Sequence, residues 1–227
     1  MRALNSLHPR TQFLLALLLA TAVTLGLFLI RAVRNDSWDY SYLVWNLFLG
    51  WLPLLFALRL VRVLRKKLWS SWEAVGLSFL WLLFLPNSFY MVSDIIHLDR
   101  LSTLDILHDA VMITAFVYLG LTIGFSSLYL VHLELKKRFS SKQAAVWVGV
   151  YLFLASLAIY AGRDLRWNSW DVLTNPSGML FDFSDRLLNP AGYGQIAITI
   201  FSFFALLASM YTVLWCGARL IRKSGTS

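Results

Sequence analysis

What most limits the fold is an apolar run of eighteen residues or more that recurs along the whole chain. A hydrocarbon core about 30 Å thick is crossed by roughly 20 helical residues rising 1.5 Å each. Runs of that size lie at Phe13–Ile30, Tyr42–Val61, Ala74–Val92, Ile106–Val131, Ala144–Ala161 and Gly194–Gly217. Lipid offers backbone amides no partner, and helices pair them internally, whereas the alternating segments of an outer-membrane barrel are missing here. The expectation is an all-α, six-span transmembrane bundle. With 59% hydrophobic and only 14% charged residues in 227, no large soluble domain fits, so residues 1–227 read as one integral membrane domain.

The first run has a competing interpretation. Arg2 and Arg10 precede it, and Ala20-Thr21-Ala22 has the small residues of a signal-peptidase site. The run stays apolar through Ile30, where a cleaved peptide would turn polar, so the span is expected to be retained.

Net charge is +8, but the basic residues fall in short clusters between apolar runs, which makes them topology determinants and not a nucleic-acid surface. One side carries Arg2 and Arg10, then Arg59, Arg62, Arg65, Lys66 and Lys67, then Lys136, Lys137, Arg138 and Lys142, then Arg219, Arg222 and Lys223. The other has only Arg31, Arg34, Arg100, Arg163, Arg166 and Arg186. By the positive-inside rule both termini face the cytoplasm. The acids divide oppositely: Glu73 and Glu134 are inside, and Asp36, Asp39, Asp94, Asp99, Asp105, Asp109, Asp164, Asp171, Asp182 and Asp185 are outside or close to it. Such a face can attract cations, or can simply solvate the loops. The single cysteine, Cys216, permits no disulfide within the chain.

Polar side chains gather on the outer side. Spacings of three, four and three place Asn87, Tyr90, Asp94 and His97 on one face of the third span, provided the helix persists beyond Pro86. Counted from Ala74, Asn87 stands about 20 Å along the helix and Asp94 about 30 Å, so the stripe climbs into the interface. In the fourth span Asp105, His108, Asp109 and Met112 share a face that can meet the stripe in an antiparallel hairpin. An ionised Asp at mid-bilayer costs about 2.5 to 3.5 kcal/mol, less at the depth of Asp109, and calls for a partner. The partners expected are His108, His97 or an arginine of the fifth connection.

That connection, residues 162–193, is the longest. Arg163 and Arg166 suit bidentate anion binding, with Trp167, Asn168 and Asp171 beside them as further ligand contacts. Turn signals at Asn175-Pro176 and Asn189-Pro190 bracket Leu180–Leu188, an expected interfacial segment. Trp81, Phe84, Pro86, Asn87, Tyr90, Asp94, His97 and Leu98, with Arg166-Trp167-Asn168-Ser169-Trp170-Asp171, resemble the bacterial membrane-protein family known as domain-of-unknown-function family 1361. The resemblance covers most of the chain. It implies a multi-span bacterial membrane protein, hence the cytoplasmic membrane, and carries no activity with it.

Asp94, His97, His108 and Asp109 are the candidate catalytic residues and the candidate ligands of a divalent metal, since imidazole and carboxylate suit such an ion. The two-histidine zincin motif is missing, and paired Asp/His on adjacent helices equally form a hydrogen-bonded clamp or a proton relay. Lipid-headgroup or cation binding, or headgroup chemistry with phosphate on Arg163 and Arg166, is preferred to transport, because the inner halves of the spans offer few ionisable groups for a path. A structural or assembly role in a membrane complex is the third class. Gly120 and Gly124 mark a face for close helix packing, and the oligomeric state is open.

Overall fold

The computed structural model describes residues 8–100, 106–188 and 190–224. Among them there is no strand. In chain order come α1 (Pro9–Asn35), α2 (Ser41–Val63), α3 (Trp72–Tyr90) continuing as a 3-10 segment (Met91–Arg100), α4 (Ile106–Leu135), α5 (Ser141–Asp164), a single turn α6 (Asp171–Thr174), α7 (Pro176–Leu188) and α8 (Pro190–Ser224). Six stretches are long and apolar enough to cross a membrane: Pro9–Asn35, Ser41–Val63, Trp72–Ile95, Ile106–Leu135, Ser141–Asp164 and Ile196–Ile221. The chain is a multi-pass helical membrane protein.

Helices α1, α2, α5 and α8 outrun at both ends the apolar stretches that mark them in the sequence, because hydropathy registers the lipid while the helix runs on to its caps. Ser71 accepts from the Ala74 N–H to start α3. Ser140 and Gln143 form a reciprocal capping box at α5. α1 ends at Asp36 in the left-handed region (φ 45°), where Ser37 N–H returns to the Ala32 carbonyl at 3.2 Å. Asp is among the few side chains that tolerate that conformation.

α4 is the axis of the bundle. Within its most apolar window 67% of the residues are buried, against 17% for α1. It contributes to two cores. Phe125 and Leu128 join Trp81, Phe89, Leu152 and Tyr211 between α3, α5 and α8, while Met112 and Phe116 join Leu17, Phe28, Leu43 and Leu47 between α1 and α2. Apolar side chains left outward, such as Leu19, Val23, Trp45, Val146, Phe201 and Val213, face where lipid lies.

Helices in lipid gain nothing from burying one apolar surface against another, so their contact depends on close packing and polar ties. Both are present at Ser88. Its hydroxyl donates to the Gly50 carbonyl at 2.7 Å, joining α3 to α2. On α4, a Cβ at Gly120 would stand 2.6 Å from the Ser88 carbonyl, and one at Gly124 2.6 Å from the Phe89 ring. The face marked by Gly120 and Gly124 is therefore occupied by α3 of the same chain.

Pro86 does not break α3. It removes the donor that would meet the Leu82 carbonyl, and the helix continues one turn to Tyr90 before tightening into the 3-10 segment. Asn87, Tyr90 and Asp94 thus stay on connected turns.

Candidate functional site

Polar side chains converge where α1 ends, α2 begins, α3 ends, α4 begins and α5 ends. Two ion pairs stand there, one buried on both sides and one with a buried acid and a quarter-exposed arginine. Arg31 of α1 donates through Nε to Asp109 Oδ1 of α4 at 3.2 Å, the side chains only 10% and 5% exposed. The same guanidinium lies 4.2 Å above the Tyr40 ring and reaches the Ser37 carbonyl at 3.4 Å. Burial, with Asp109 close by, pushes the Tyr40 hydroxyl above its ordinary pKa despite the opposing pull of Arg31, so the phenol stays protonated.

The second pair joins α3 to α5. Arg163 Nη1 is 3.7 Å from Asp94 Oδ1, and Asp94 is 1% exposed. Asn46 of α2 donates its amide to the other carboxylate oxygen at 3.4 Å. Buried charges of opposite sign repay much of each other's desolvation when the remaining lone pairs are met, and Asn46 meets one of them. At the opposite end of the bundle Glu73 bridges Arg59 at 2.9 Å and Lys67 at 2.6 Å in largely exposed surroundings, where water screens the attraction. There too His132 Nδ1 lies 2.9 Å from the Tyr211 hydroxyl and its ring stacks on Trp215.

After α5 the backbone turns at Arg166, held at φ 59°, and Trp167 N–H returns to the Ala161 carbonyl at 3.2 Å. This turn folds the connection back over α3. Asn87 Nδ2 donates to the Ser169 hydroxyl at 2.8 Å and to the Phe84 carbonyl at 3.2 Å. Asp171 accepts from the Asn168 N–H at 2.6 Å, and Trp167 Nε1 donates to Asp182 of α7 at 3.1 Å. Gly162 lets the Tyr90 ring pack closely on α5, since a Cβ there would lie 3.1 Å from it.

Between α2, α3, α5 and this connection lies a cleft of about 390 Å³. Its walls are apolar: Leu49, Phe79, Leu82, Leu83, Pro86, Leu154, Ala158 and Met179. Its polar lining comes from Asn46, Asn87, Tyr90, Asn168 and Ser169, with indole surface from Trp45 and Trp167. The volume is within the roughly 300 to 1,000 Å³ of ordinary small-molecule sites.

The residues singled out in the sequence divide between these features. Asn87, Tyr90, Trp167 and Asn168 line the cleft. Asp94 and Arg163 pair just behind it, and Asp171 holds the turn that carries Asn168. Among the described side chains Asp109 pairs with Arg31, and not with His108 or Arg163, two of the partners expected from the sequence. The reason is that α1 packs on α4 there, while Arg163 is drawn to Asp94. His108 Nε2 lies 3.1 Å from the Leu27 carbonyl. The side chain of His97 and all of Asp105 lie outside the described residues. Among the described residues no three His, Cys, Asp or Glu side chains stand close enough to share an ion.

Arg31 and Ser169 are the contributors that spacing did not expose. Arg31 counts as one more loop charge in a topology tally, and only its distance from an acid on a helix 78 residues away reveals its partner. No curated protein and no solved structure matches the chain. The family model described as "Protein of unknown function (DUF1361)" matches residues 45–210, a stretch that takes in the cleft and the Asp94–Arg163 pair and leaves out Arg31. The chain belongs to the DUF1361 family.

Proposed function

We propose that the protein binds an amphiphilic lipid, its headgroup at the polar lining of the cleft and its chain along the apolar walls, on the outer side of a bacterial cytoplasmic membrane with both termini in the cytoplasm. The observation that carries this is the cleft itself. Its wall runs from Leu82, Phe79 and Leu154, with Phe79 and Leu154 partly exposed on the lipid-facing side of the bundle, to a polar end at Asn46, Asn87 and Ser169. Such a gradient matches a molecule that is apolar at one end and hydrogen-bonding at the other. The orientation rests on the excess of Lys and Arg on the side of Arg59–Lys67 and Lys136–Lys142. Binding is preferred to transport because the two ion pairs and the polar lining sit together at one end of the bundle.

The test is lipid extraction from purified protein followed by mass spectrometry. Wild type retains a defined lipid class at about one per chain, and Leu82→Trp, which fills the cleft from its apolar wall, loses it. Retention of the same lipid by a folded Leu82→Trp variant overturns the proposal.

A further inference from the structure

The chemistry of the cleft also restricts the headgroup, on the reading that the cleft holds an amphiphile. None of the described residues lining it carries a formal charge: its polar groups are three carboxamides, a serine hydroxyl and a tyrosine. Neither Arg163 nor Arg166 lines the cleft, and Arg163 lies 3.7 Å from Asp94. Three carboxylates stand behind the lining without being part of it: Asp94, 1% exposed, meets Arg163 and Asn46, Asp171 accepts from the Asn168 N–H, and Asp182 accepts from Trp167 Nε1. Among the described lining residues a phosphate would find no guanidinium or ammonium, and a free ammonium no carboxylate.

The hydrogen bonds already made set which atoms remain. Asn46 turns its Nδ2 toward Asp94, so its Oδ1 is the atom left for the cleft. Asn87 uses Nδ2 on Ser169 and Phe84 and likewise keeps Oδ1 as an acceptor. Ser169 accepts from Asn87, which leaves its own O–H to donate. Asn168 is anchored through its backbone, leaving its side-chain amide with both a donor and an acceptor. Acceptors and donors are thus both left in the lining, together with Trp45 and Trp167. Hydroxyl groups, each both donor and acceptor, complement such a set, and the C–H faces of a sugar ring suit an indole surface.

We infer that the ligand is a lipid with an uncharged, hydroxyl-rich headgroup, a glycosylated diacyl or polyprenyl chain, bound where Asn46, Asn87, Asn168 and Ser169 meet the indoles of Trp45 and Trp167 in the cleft. The experiment titrates detergent-solubilised full-length protein with glucosyl-dioleoylglycerol, dioleoylglycerol, phosphatidylglycerol, phosphatidylethanolamine and free glucose, read by quenching of tryptophan fluorescence and by native mass spectrometry. Glucosyl-dioleoylglycerol binds about tenfold tighter than dioleoylglycerol or either phospholipid, a ratio that one or two net hydrogen bonds supply. Asn87→Ala and Asn168→Ala each reduce that advantage by about fivefold or more, with thermal unfolding checked for both, and Leu82→Trp removes binding of every lipid. Equal binding of all four lipids, or tightest binding of a phospholipid, with Leu82→Trp still blocking, overturns the headgroup inference and leaves the cleft reading standing. Free glucose binding as tightly as the glycolipid overturns the requirement for a lipid. Binding of every lipid unaffected by Leu82→Trp overturns the cleft reading itself.

Discussion

Arg31→Leu and Asp109→Leu, made singly and together, form a cycle whose outcome follows from burial. With Nε and Oδ1 3.2 Å apart, the attraction is about 5 kcal/mol at an effective dielectric of about 20. Desolvating two charges costs several kcal/mol each, so the intact pair is worth little more than a well-packed apolar substitute. Removing one partner is different, because the survivor stays in a site only 5 to 10% exposed without its counter-charge. Each single substitution is expected to lower stability by about 3 to 5 kcal/mol, and the double substitution by about 0 to 2 kcal/mol. The cycle then returns a coupling of about 3 kcal/mol or more. Unfolding in mixed micelles of rising SDS fraction, followed by the fluorescence of the ten tryptophans, measures all four proteins. A double variant that loses the sum of the two single losses would refute the reasoning, since it would mean the charges act independently. Arg31→Lys adds a control: it keeps the charge and loses the planar contact over Tyr40 at 4.2 Å, for a loss of about 1 kcal/mol.

Other substitutions follow from the same geometry. Asp94→Ala removes the counter-charge of Arg163, which is a quarter exposed and keeps access to water, and is expected to cost about 1 to 2 kcal/mol in the same assay, whereas Glu73→Ala, in the exposed bridge to Arg59 and Lys67, leaves the midpoint unchanged. Gly120→Val drives a branched side chain at the Ser88 carbonyl, where a Cβ already stands 2.6 Å away, and is expected to prevent α3 from seating on α4; Gly149→Ala, with nothing within 4 Å, raises stability by up to about 1 kcal/mol. Thermal midpoints of the two variants should therefore move in opposite directions. In a Cys216→Ser background, Ser37→Cys is expected to react with a membrane-impermeant maleimide in whole cells, and Ser70→Cys only after lysis; the reverse pattern would invert the orientation.

The six spans were legible in the sequence because a lipid-crossing helix is a local property. Some 20 consecutive apolar residues suffice, whatever surrounds them. The gathering of Asn87, Tyr90 and Asp94 was legible for a similar reason, since positions three and four apart on one helix keep their spacing in any bundle. The seat of Gly120 and Gly124 was half legible. The pattern says that a backbone approaches closely, and only the packing says that it is α3, bearing Ser88 and Phe89, and not a second chain.

Partnership across the bundle was decided by the tertiary structure. Asp109 had three plausible partners by position along the chain, and the lateral placement of α1 against α4 selected Arg31 instead. Arg163 went to Asp94, and Ser169 came over Asn87 because Arg166 turns the chain back at positive φ. Hydropathy and charge determine how many times the chain crosses, where each crossing lies and how its charges divide between the two sides. They act one segment at a time and carry no information on which helices are neighbours. Neighbourhood is set by close packing and a handful of buried polar ties, and at this end of the bundle it turned a line of candidate ligands into two ion pairs and an uncharged cleft.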